Sequence, residues 1–234
     1  MTKTLFMFDP KNWEIITATF PSAIWETIYA TFISTFFALL IGIPLGVILV
    51  VGDKDGIMPL PSWLMKILNV IINLLRSVPF LILMVVVMPL TRLIVGTVVG
   101  TVAAMVPLVI ASFPYVARVT EGSLREVDVN SIEMARSMGA TPFQIITKVL
   151  IPESVPSLIS NITITLTNVL SYTAMAGALG GGGLGKVAIS YGYNRYIYSI
   201  MIYAVILLVI LVQVIQTVGT RLAIKSDKRL KGNL

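Results

Sequence analysis

The sequence lacks cysteine and histidine and carries few charges. None of its 234 residues is Cys or His, which excludes disulfides, thiol nucleophiles, histidine bases and the usual zinc sites. Charged residues make up 12% and apolar residues 56%, with a mean hydropathy of +0.93, values that no soluble domain of this length needs. The first residues show no basic run with a short apolar core and cleavage site, so we expect no removable signal peptide. The composition predicts an integral membrane protein.

Long apolar runs define the expected fold. A hydrocarbon core about 30 Å thick requires about 20 apolar residues per helix. Five segments meet this requirement, at about 27–51, 66–90, 94–117, 155–179 and 197–220. No repeat or low-complexity linker divides the chain. We therefore predict an all-α polytopic membrane protein with five transmembrane helices in a single domain, 1–234.

Glycines and prolines recur inside these segments. Gly42 and Gly46 in the first span, and Gly96 and Gly100 in the third, have the four-residue spacing that lets helix backbones approach closely. Such contacts could form within one subunit or at a dimer seam. Four prolines are expected to kink their helices: Pro44, Pro79, Pro107 and Pro114.

Basic residues are distributed unevenly between the two sides of the expected membrane domain. Of 17 basic residues, five fall on one side: Lys3, Lys11, Arg92, Lys186 and Arg195. The other side holds Lys54, Lys66, Arg76, Arg118, Arg125, Arg136, Lys148, Arg221, Lys225, Lys228, Arg229 and Lys231. The positive-inside rule then predicts an external N-terminus and a cytoplasmic C-terminus. The net charge of +6 is explained by this topology and by contact with anionic lipid, and it does not require a nucleic-acid partner.

A polar segment, residues 133–156, interrupts the membrane spans on the cytoplasmic side. We expect a short helix capped by Asn130, with Glu133 reaching back to the free amides and Gly139 ending the helix in a left-handed conformation. Apolar residues at 132, 135 and 138 give this helix one apolar face.

A second short helix is expected directly after the first. Thr141 is its predicted cap, Pro142 its first residue and Gln144 the partner in a capping box, while Pro152 should stop it. Apolar residues at 143, 146, 149 and 150 again share one face. The pair would form an elbow for a soluble partner to bind, or an amphipathic loop resting on the bilayer.

The elbow carries a recognisable motif. Glu133-Met134-Ala135, Gly139 and Val149-Leu150-Ile151-Pro152 resemble the EAA signature of ATP-binding-cassette importer permeases, E-A-A-x3-G-x9-I-x-L-P. The spacing agrees throughout, with Met for the second Ala, Val for Ile and Ile for Leu. The resemblance implies a coupling-helix loop at about 121–154, between helices 3 and 4, that docks on a cytoplasmic ATPase. The implied coupling residues are Glu133, Ala135, Gly139, Ala140, Thr141, Pro142, Ile151 and Pro152.

Three further segments look like the permease subunits of methionine importers: RSVPF at 76–80, MGATP at 138–142, and the stretch from Ala176-Gly177 to Gly185. This resemblance implies a homodimer in the cytoplasmic (inner) membrane, two ATPase subunits that bind ATP and Mg²⁺, and an extracytoplasmic substrate-binding protein. It implies no catalytic residue, cofactor or metal in this chain.

Two other patterns favour different functions less well. GGGGLGK at 180–186 matches the spacing of a phosphate-binding loop, but Val187 stands where a Ser or Thr must hold Mg²⁺, and we expect a flexible turn on the outer face. The elbow at Gly139 imitates a DNA-binding helix-turn-helix, but spans begin about 15 to 20 residues away on either side, so no nucleic acid is expected.

The fourth span carries a polar stripe. Asn161, Thr165, Asn168 and Tyr172 fall on one helical face, and Met175 continues it. The stripe could line a translocation path or form interhelical hydrogen bonds. The resemblance favours the path, because this helix lines the subunit interface in related permeases.

Two other classes of membrane protein remain as alternatives. An ion-coupled secondary transporter would need buried ionisable residues, for which Arg76 is the best candidate, although Arg76 can instead snorkel or bond to carbonyls freed by Pro79. A membrane enzyme would need paired carboxylates or an activated nucleophile, and no predicted span interior carries Asp or Glu.

Overall fold

The computed structural model describes residues 10–227, and this part of the chain contains helices and no strand. The long helices are α1 (Pro10–Val51), α2 (Ser62–Ser77), α3 (Phe80–Val95), α4 (Thr101–Arg125), α7 (Ile151–Ala178) and α9 (Tyr198–Ser226). Short elements lie between them: α5 (Val129–Ser137), α6 (Pro142–Ile145), a π turn (Ile146–Leu150), α8 (Gly183–Val187) and a second π turn (Ala188–Tyr193). Lys3, Lys228, Arg229 and Lys231, which entered the charge count, lie outside the described residues.

The predicted all-α membrane fold is confirmed, with changes at the span boundaries. Four helices are long and apolar enough to span a membrane, and a fifth span is counted if α2 and α3 are taken as one bent pair. The first helix begins at Pro10 rather than at residue 27, so its 42 residues extend about 63 Å. Apolar side chains along the helices remain exposed, as expected for surfaces that face lipid.

The second predicted span, 66–90, is broken rather than continuous. Its two helices are separated by Val78 and Pro79, and Pro79 has φ −57° and ψ 137°. Proline disfavours the helical conformation of the residue before it and has no N–H to continue the ladder. The expected kink at Pro79 is therefore a complete break. Arg76 is exposed in the last turn of α2, where a cation suits the helix C-terminus, and this favours its structural reading over a buried ion-coupling charge.

The third predicted span, 94–117, begins too early. Gly96 caps α3 with φ +83°, and Gly100 has φ +106°, so both lie in the connection before α4. These positive φ values suit glycine, and the expected helix packing through this pair was wrong. Gly42 and Gly46 allow the predicted close approach of two helices, and both helices belong to this chain. A Cβ at Gly42 would lie 2.5 Å from Val116 Cβ in α4, and one at Gly46 would lie 2.6 Å from Thr120 Cβ.

The described chain divides into two compact units. The first contains the chain through Phe36, Val78–Ala111 and Leu166–Ile215. Its apolar clusters pack α8 and α9 against α1 around Leu184 and Ile200, and pack α3 and α4 against α7 around Leu108 and Val169.

The second unit contains Phe37–Ser77, Ser112–Thr165 and the chain from Gln216 onwards. One apolar cluster joins α1, α2 and α4 around Leu49, Ile72 and Ala117. Another surrounds Leu124 and Leu150 and is contacted by Ile132, Ile146 and Ile151, so the elbow is anchored in the core of this unit.

Candidate functional site

The first elbow helix, α5, has its N-cap two residues before the predicted cap. Asp128 is the N-cap, and its Oδ1 accepts the Asn130 backbone N–H at 2.9 Å. Asn130 lies inside the first turn, with its amide Nδ2 donating to the same carboxylate oxygen at 2.9 Å. The predicted cap at Asn130 and its reciprocal bond from Glu133 were therefore wrong. Asp is as good a cap as Asn, and here it is the residue at the actual boundary.

The end of α5 agrees with the prediction. Gly139 has φ +79° and donates its N–H to the Arg136 carbonyl at 3.0 Å. The Ala140 N–H reaches the Ala135 carbonyl at 3.1 Å, which completes a Schellman motif. No atom lies within 4 Å of a Cβ added at Gly139, so glycine is required here by backbone conformation rather than by lack of space.

The start of α6 also agrees with the prediction. Thr141 Oγ1 accepts the Gln144 backbone N–H at 3.4 Å, while Gln144 Oε1 accepts the Thr141 N–H at 2.8 Å. Pro142 occupies the first helical position. This reciprocal capping box satisfies two amide groups that the helix itself cannot satisfy, and it sets the direction in which the chain leaves Gly139.

Pro152 does not stop the second helix, contrary to the prediction. The π turn at Ile146–Leu150 follows α6 directly and leads into α7, with the Ile151 N–H bonded to the Ile146 carbonyl. Proline in a helix lacks one N–H and its ring clashes with the carbonyl four residues earlier. A wider turn with bonds to the fifth residue relieves both problems, so the helix continues through Pro152.

The elbow has an inner face and an outer face, and both carry apolar residues. Ala135, Ile145 and Leu150 are buried in the core of the second unit. Met134, Met138 and Phe143 are exposed, the last two by 75% and 73%. Of the residues predicted to form apolar faces, Met138 and Phe143 are thus left uncovered. Glu133 is exposed beside them, while Ile151 is half-buried and Pro152 is exposed.

A charged network next to the elbow was missed by the sequence analysis. Arg125 Nη2 bonds Asp53 Oδ2 at 2.7 Å and Glu121 Oε1 at 3.1 Å. The Arg125 guanidinium, together with the Lys54 backbone N–H, lowers the pKa of Asp53. Asp53, Arg125 and Glu133 line a half-open pocket of about 540 Å³ between the α1–α2 connection and α5.

The same network continues along α4. Arg118 bonds Glu121 Oε2 at 2.6 Å, and its Nη2 donates to Asn69 Oδ1 at 2.7 Å and to Asn73 Oδ1 at 2.9 Å. These bonds tie α4 to α2. The sequence signal was present, because Asn69 and Asn73 are one turn apart on α2 and Arg118, Glu121 and Arg125 are spaced by three and four residues on α4.

The polar stripe lies along α7, and its members have different surroundings. Asn161 Nδ2 donates to Ser123 Oγ at 2.7 Å and to the Val119 carbonyl at 3.2 Å. Thr165 is buried and bonds the Asn161 carbonyl at 2.8 Å, while Asn168 is half-buried. Tyr172 is half-buried and stacks on Phe80, with ring centroids 4.7 Å apart and planes 9° from parallel. Met175 is exposed.

The glycine-rich segment 180–186 is packed and is not the flexible turn that was predicted. Gly180 and Gly183 do have positive φ values, as expected for this run. The Gly183 N–H donates to Glu26 Oε2 at 2.7 Å, and the Leu184 N–H donates to Thr27 Oγ1 at 2.8 Å. These amide groups are therefore already bonded within the chain. Glu26 lies one residue before the predicted first span, which is why its place inside α1 was missed.

Comparison with known proteins identifies the family. The family described as binding-protein-dependent transport system inner membrane component matches residues 42–232. The chain is 50% identical over 209 residues to the probable D-methionine transport system permease protein MetI of Vibrio cholerae serotype O1, covering 89% of this chain and 92% of that protein. It is 44% identical over 220 residues to the protein of the same description from Pasteurella multocida, covering 94% and 99%.

A solved structure of a methionine transporter also aligns with this chain. It is described as inward-facing conformations of the MetNI methionine ABC transporter, in a native crystal form. It aligns with a TM-score of 0.89 at 43% identity, covering 92% of this chain and 99% of that one. The chain therefore belongs to the binding-protein-dependent transport system inner membrane component family, as one of its multi-pass permease subunits.

Proposed function

We propose that this chain is the permease subunit of an ATP-driven importer of methionine. The proposal is supported by relatives at 44% and 50% identity that are described as probable D-methionine transport system permeases and that align over nearly their whole length. In the assembly two copies of the chain form a homodimer with two cytoplasmic ATPase subunits. An extracytoplasmic binding protein delivers the substrate. The ion-coupled alternative is disfavoured, because the family functions with a binding protein.

The elbow is the proposed contact with the ATPase. The observation that carries this proposal is the exposed pair Met138 and Phe143, which lies on two helices fixed by the Schellman motif at Gly139 and the capping box at Thr141. Exposed side chains of two methionines and a phenylalanine on one short elbow favour burial by a partner, because exposed large apolar side chains grouped in one loop favour a contact site. The buried inner face, with Ala135 and Leu150, would carry the partner's motion into the core.

The helical connection from the elbow to α7 supports a role in coupling. α6 continues through the π turn and Pro152 into α7 without a loop, so a displacement at Phe143 would be applied directly to the base of α7. ATP binding would close the ATPase pair, move the docked elbows and switch the permease between inward-open and outward-open states. ATP and Mg²⁺ would be bound by the ATPase. Gly180–Lys186 is unsuited to phosphate, because its Gly183 and Leu184 amides already bond Glu26 and Thr27.

The polar stripe on α7 is the proposed substrate path, and its residues would have two roles. Asn161, bonded to Ser123 of α4, would hold the helix in place, while Thr165 is buried and bonds the Asn161 carbonyl one turn back within α7. Tyr172 and Met175 would meet the substrate, Tyr172 through its hydroxyl and stacked ring, Met175 through its exposed thioether. A neutral polar face is compatible with a zwitterionic amino acid. The proposed topology places the elbow in the cytoplasm and the segment after α7 on the outer side.

Transport in a strain that lacks its own methionine importers tests the proposal. Cells that express the chain with its ATPase and binding protein should accumulate radiolabelled methionine, and cells without the ATPase should not. Met138→Ser should reduce ATPase co-purification and uptake at an unchanged membrane level. Met58→Ser is the matched control, because Met58 is also exposed but lies in the α1–α2 connection. Uptake without the ATPase, or equal loss in both variants, would refute the proposed coupling.

A further inference from the structure

Glu26 joins three elements of the first unit. Its Oε2 accepts the Gly183 N–H of α8 at 2.7 Å and the Thr101 hydroxyl of α4 at 3.0 Å. The neighbouring Thr27 accepts the Leu184 N–H at 2.8 Å. Both bonds to α8 connect residues 157 positions apart in the chain. A carboxylate on α1 therefore links the start of α8 to the start of α4.

The surroundings of Glu26 are unusual for an acidic residue. It lies inside the long apolar helix α1, next to the buried residues Ala23, Thr27 and Ala30. Among residues 12–227, the ion pairs that the structure contains do not include Glu26. An acidic group in such a helix is costly unless it is paired or fully hydrogen-bonded. Here a hydroxyl and an amide at the positive end of α8 provide that stabilisation.

Gly182 and Gly183, at the start of the segment held by Glu26, have no space for side chains. A Cβ at Gly183 would lie 2.5 Å from Thr27 Oγ1, and one at Gly182 would collide with Thr101 Oγ1 and Glu26 Oε2. The Gly100 N–H also donates to the Gly180 carbonyl at 2.8 Å. The segment 180–187 is thus held from α1 and from the start of α4 by direct backbone contacts and short side chains.

The same segment contacts the last turns of α7 at backbone distance. A Cβ at Gly185 would lie 2.5 Å from Ala174 Cα, and one at Gly177 would lie 2.5 Å from the Gly185 carbonyl carbon. Ala174 stands between Tyr172 and Met175, the two residues proposed to meet the substrate. A displacement of α8 therefore cannot be absorbed by flexible side chains and must move this part of α7.

We propose that Glu26 is a positioning residue for the substrate path: through Gly183 and the backbone contact of Gly185 with Ala174, it sets the position of Tyr172 and Met175. This proposal rests on the proposed transport function, because Tyr172 and Met175 are the residues proposed to meet the substrate. The effect of Glu26 on the position of these two residues does not depend on which substrate is transported. The hydrogen-bond acceptor is the required property, because one oxygen, Oε2, receives both bonds.

Three substitutions separate the acceptor from the charge. Glu26→Gln keeps an oxygen that can accept both bonds, Glu26→Leu removes both, and Thr101→Val removes only one. The matched control is Glu14→Leu, because Glu14 is exposed on the same helix α1.

The first measurement is the position of α7 and needs no transport. Because the native chain has no cysteine, Met175→Cys gives this chain a single thiol, whose labelling rate by a small maleimide is read from the permease band of the purified complex. One lost interhelical hydrogen bond shifts a local equilibrium about threefold, so we expect about a threefold change with Thr101→Val and up to about tenfold with Glu26→Leu. Glu26→Gln and Glu14→Leu should label as the parent does.

The second measurement is the number of ATP molecules hydrolysed per methionine taken up by the reconstituted complex. Glu26→Leu should raise this ratio, and Glu26→Gln should restore it. If Glu26→Leu leaves both labelling and the ratio unchanged, or if Glu26→Gln is as defective as Glu26→Leu, the proposal is wrong. If the Glu26→Leu variant does not assemble into a complex, the labelling rate and the ATP-to-methionine ratio of Thr101→Val decide whether the proposal holds. Lack of methionine uptake by the parent would refute the proposed function alone, because labelling would still report the position of Met175.

Discussion

Gly139→Val tests whether the geometry of the elbow couples the permease to its ATPase. At φ +79° an L-residue costs about 1–2 kcal/mol, and a β-branched residue is more strongly disfavoured than alanine. No neighbouring atom lies within 4 Å of the added Cβ, so at the Cβ the penalty comes from the backbone conformation and not from a clash. A shift out of this conformation would also break the two Schellman bonds, at 3.0 and 3.1 Å, each worth about 1 kcal/mol.

These values predict a graded series at one position. A penalty of about 1.4 kcal/mol reduces the population of the native elbow about tenfold relative to alternative conformations. Gly139→Asn should remain close to the parent, because Asn tolerates the left-handed region, while Gly139→Ala should be intermediate and Gly139→Val worst. We expect normal membrane levels with graded loss of ATPase binding, measured by co-purification in mild detergent, and a parallel loss of uptake.

Gly122 provides the matched control. It lies in helix α4, is exposed, and also has no atom within 4 Å of an added Cβ, but its φ is not positive. Gly122→Ala should be neutral or slightly stabilising, because alanine is the better helix former by about 1 kcal/mol. If Gly139→Val and Gly122→Val have the same effect on ATPase binding, the left-handed turn is not what the partner requires.

Three further predictions concern topology, the charged network and the polar stripe. In intact cells a cysteine introduced by Thr141→Cys should resist an impermeant thiol reagent while one introduced by Lys3→Cys reacts; the reverse would overturn the proposed orientation. Arg125 lowers the pKa of Asp53 in the folded state. Their contact therefore stabilises the fold at pH values above the ordinary pKa of 3.8, and this stabilisation is lost as the pH falls through the lower pKa of the folded state. Asp53→Asn should remove this loss of thermal stability at low pH. If the melting temperature of the variant falls with pH as that of the parent does, the stabilising role of the Asp53–Arg125 contact is contradicted. Tyr172→Phe keeps the ring stacked and removes only the hydroxyl, so thermal stability should change little while uptake per complex changes; uptake that simply follows stability would show that the stripe is packing.

Features that depend on neighbours within about five residues were predictable from the sequence. The capping box at Thr141 and the left-handed Gly139 are of this kind, because each involves bonds between residues at most five positions apart. The close approach at Gly42 and Gly46 followed from their four-residue spacing. The membrane location followed from composition, since burial in lipid requires apolar side chains along whole helices.

Where two local signals compete, packing decided the outcome. Asp128 and Asn130 are both good caps, and Val127, buried in the cluster around Leu150, fixes the boundary immediately before Asp128. Pro152 is a strong stop signal, yet Leu150 and Ile151 pack into the same cluster, and the π turn accommodates the proline within a continuous helix.

The sequence by itself determined that this chain is a helical membrane protein with a capped elbow, because periodicity, caps and hydropathy act over short distances. Only the tertiary structure decided which charges are paired and which glycines are packed. Glu26 is separated from Gly183 by 157 positions, and Arg118 from Asn69 by 49. No local pattern specifies such partners, since a buried polar group bonds whichever donor or acceptor the fold brings within reach.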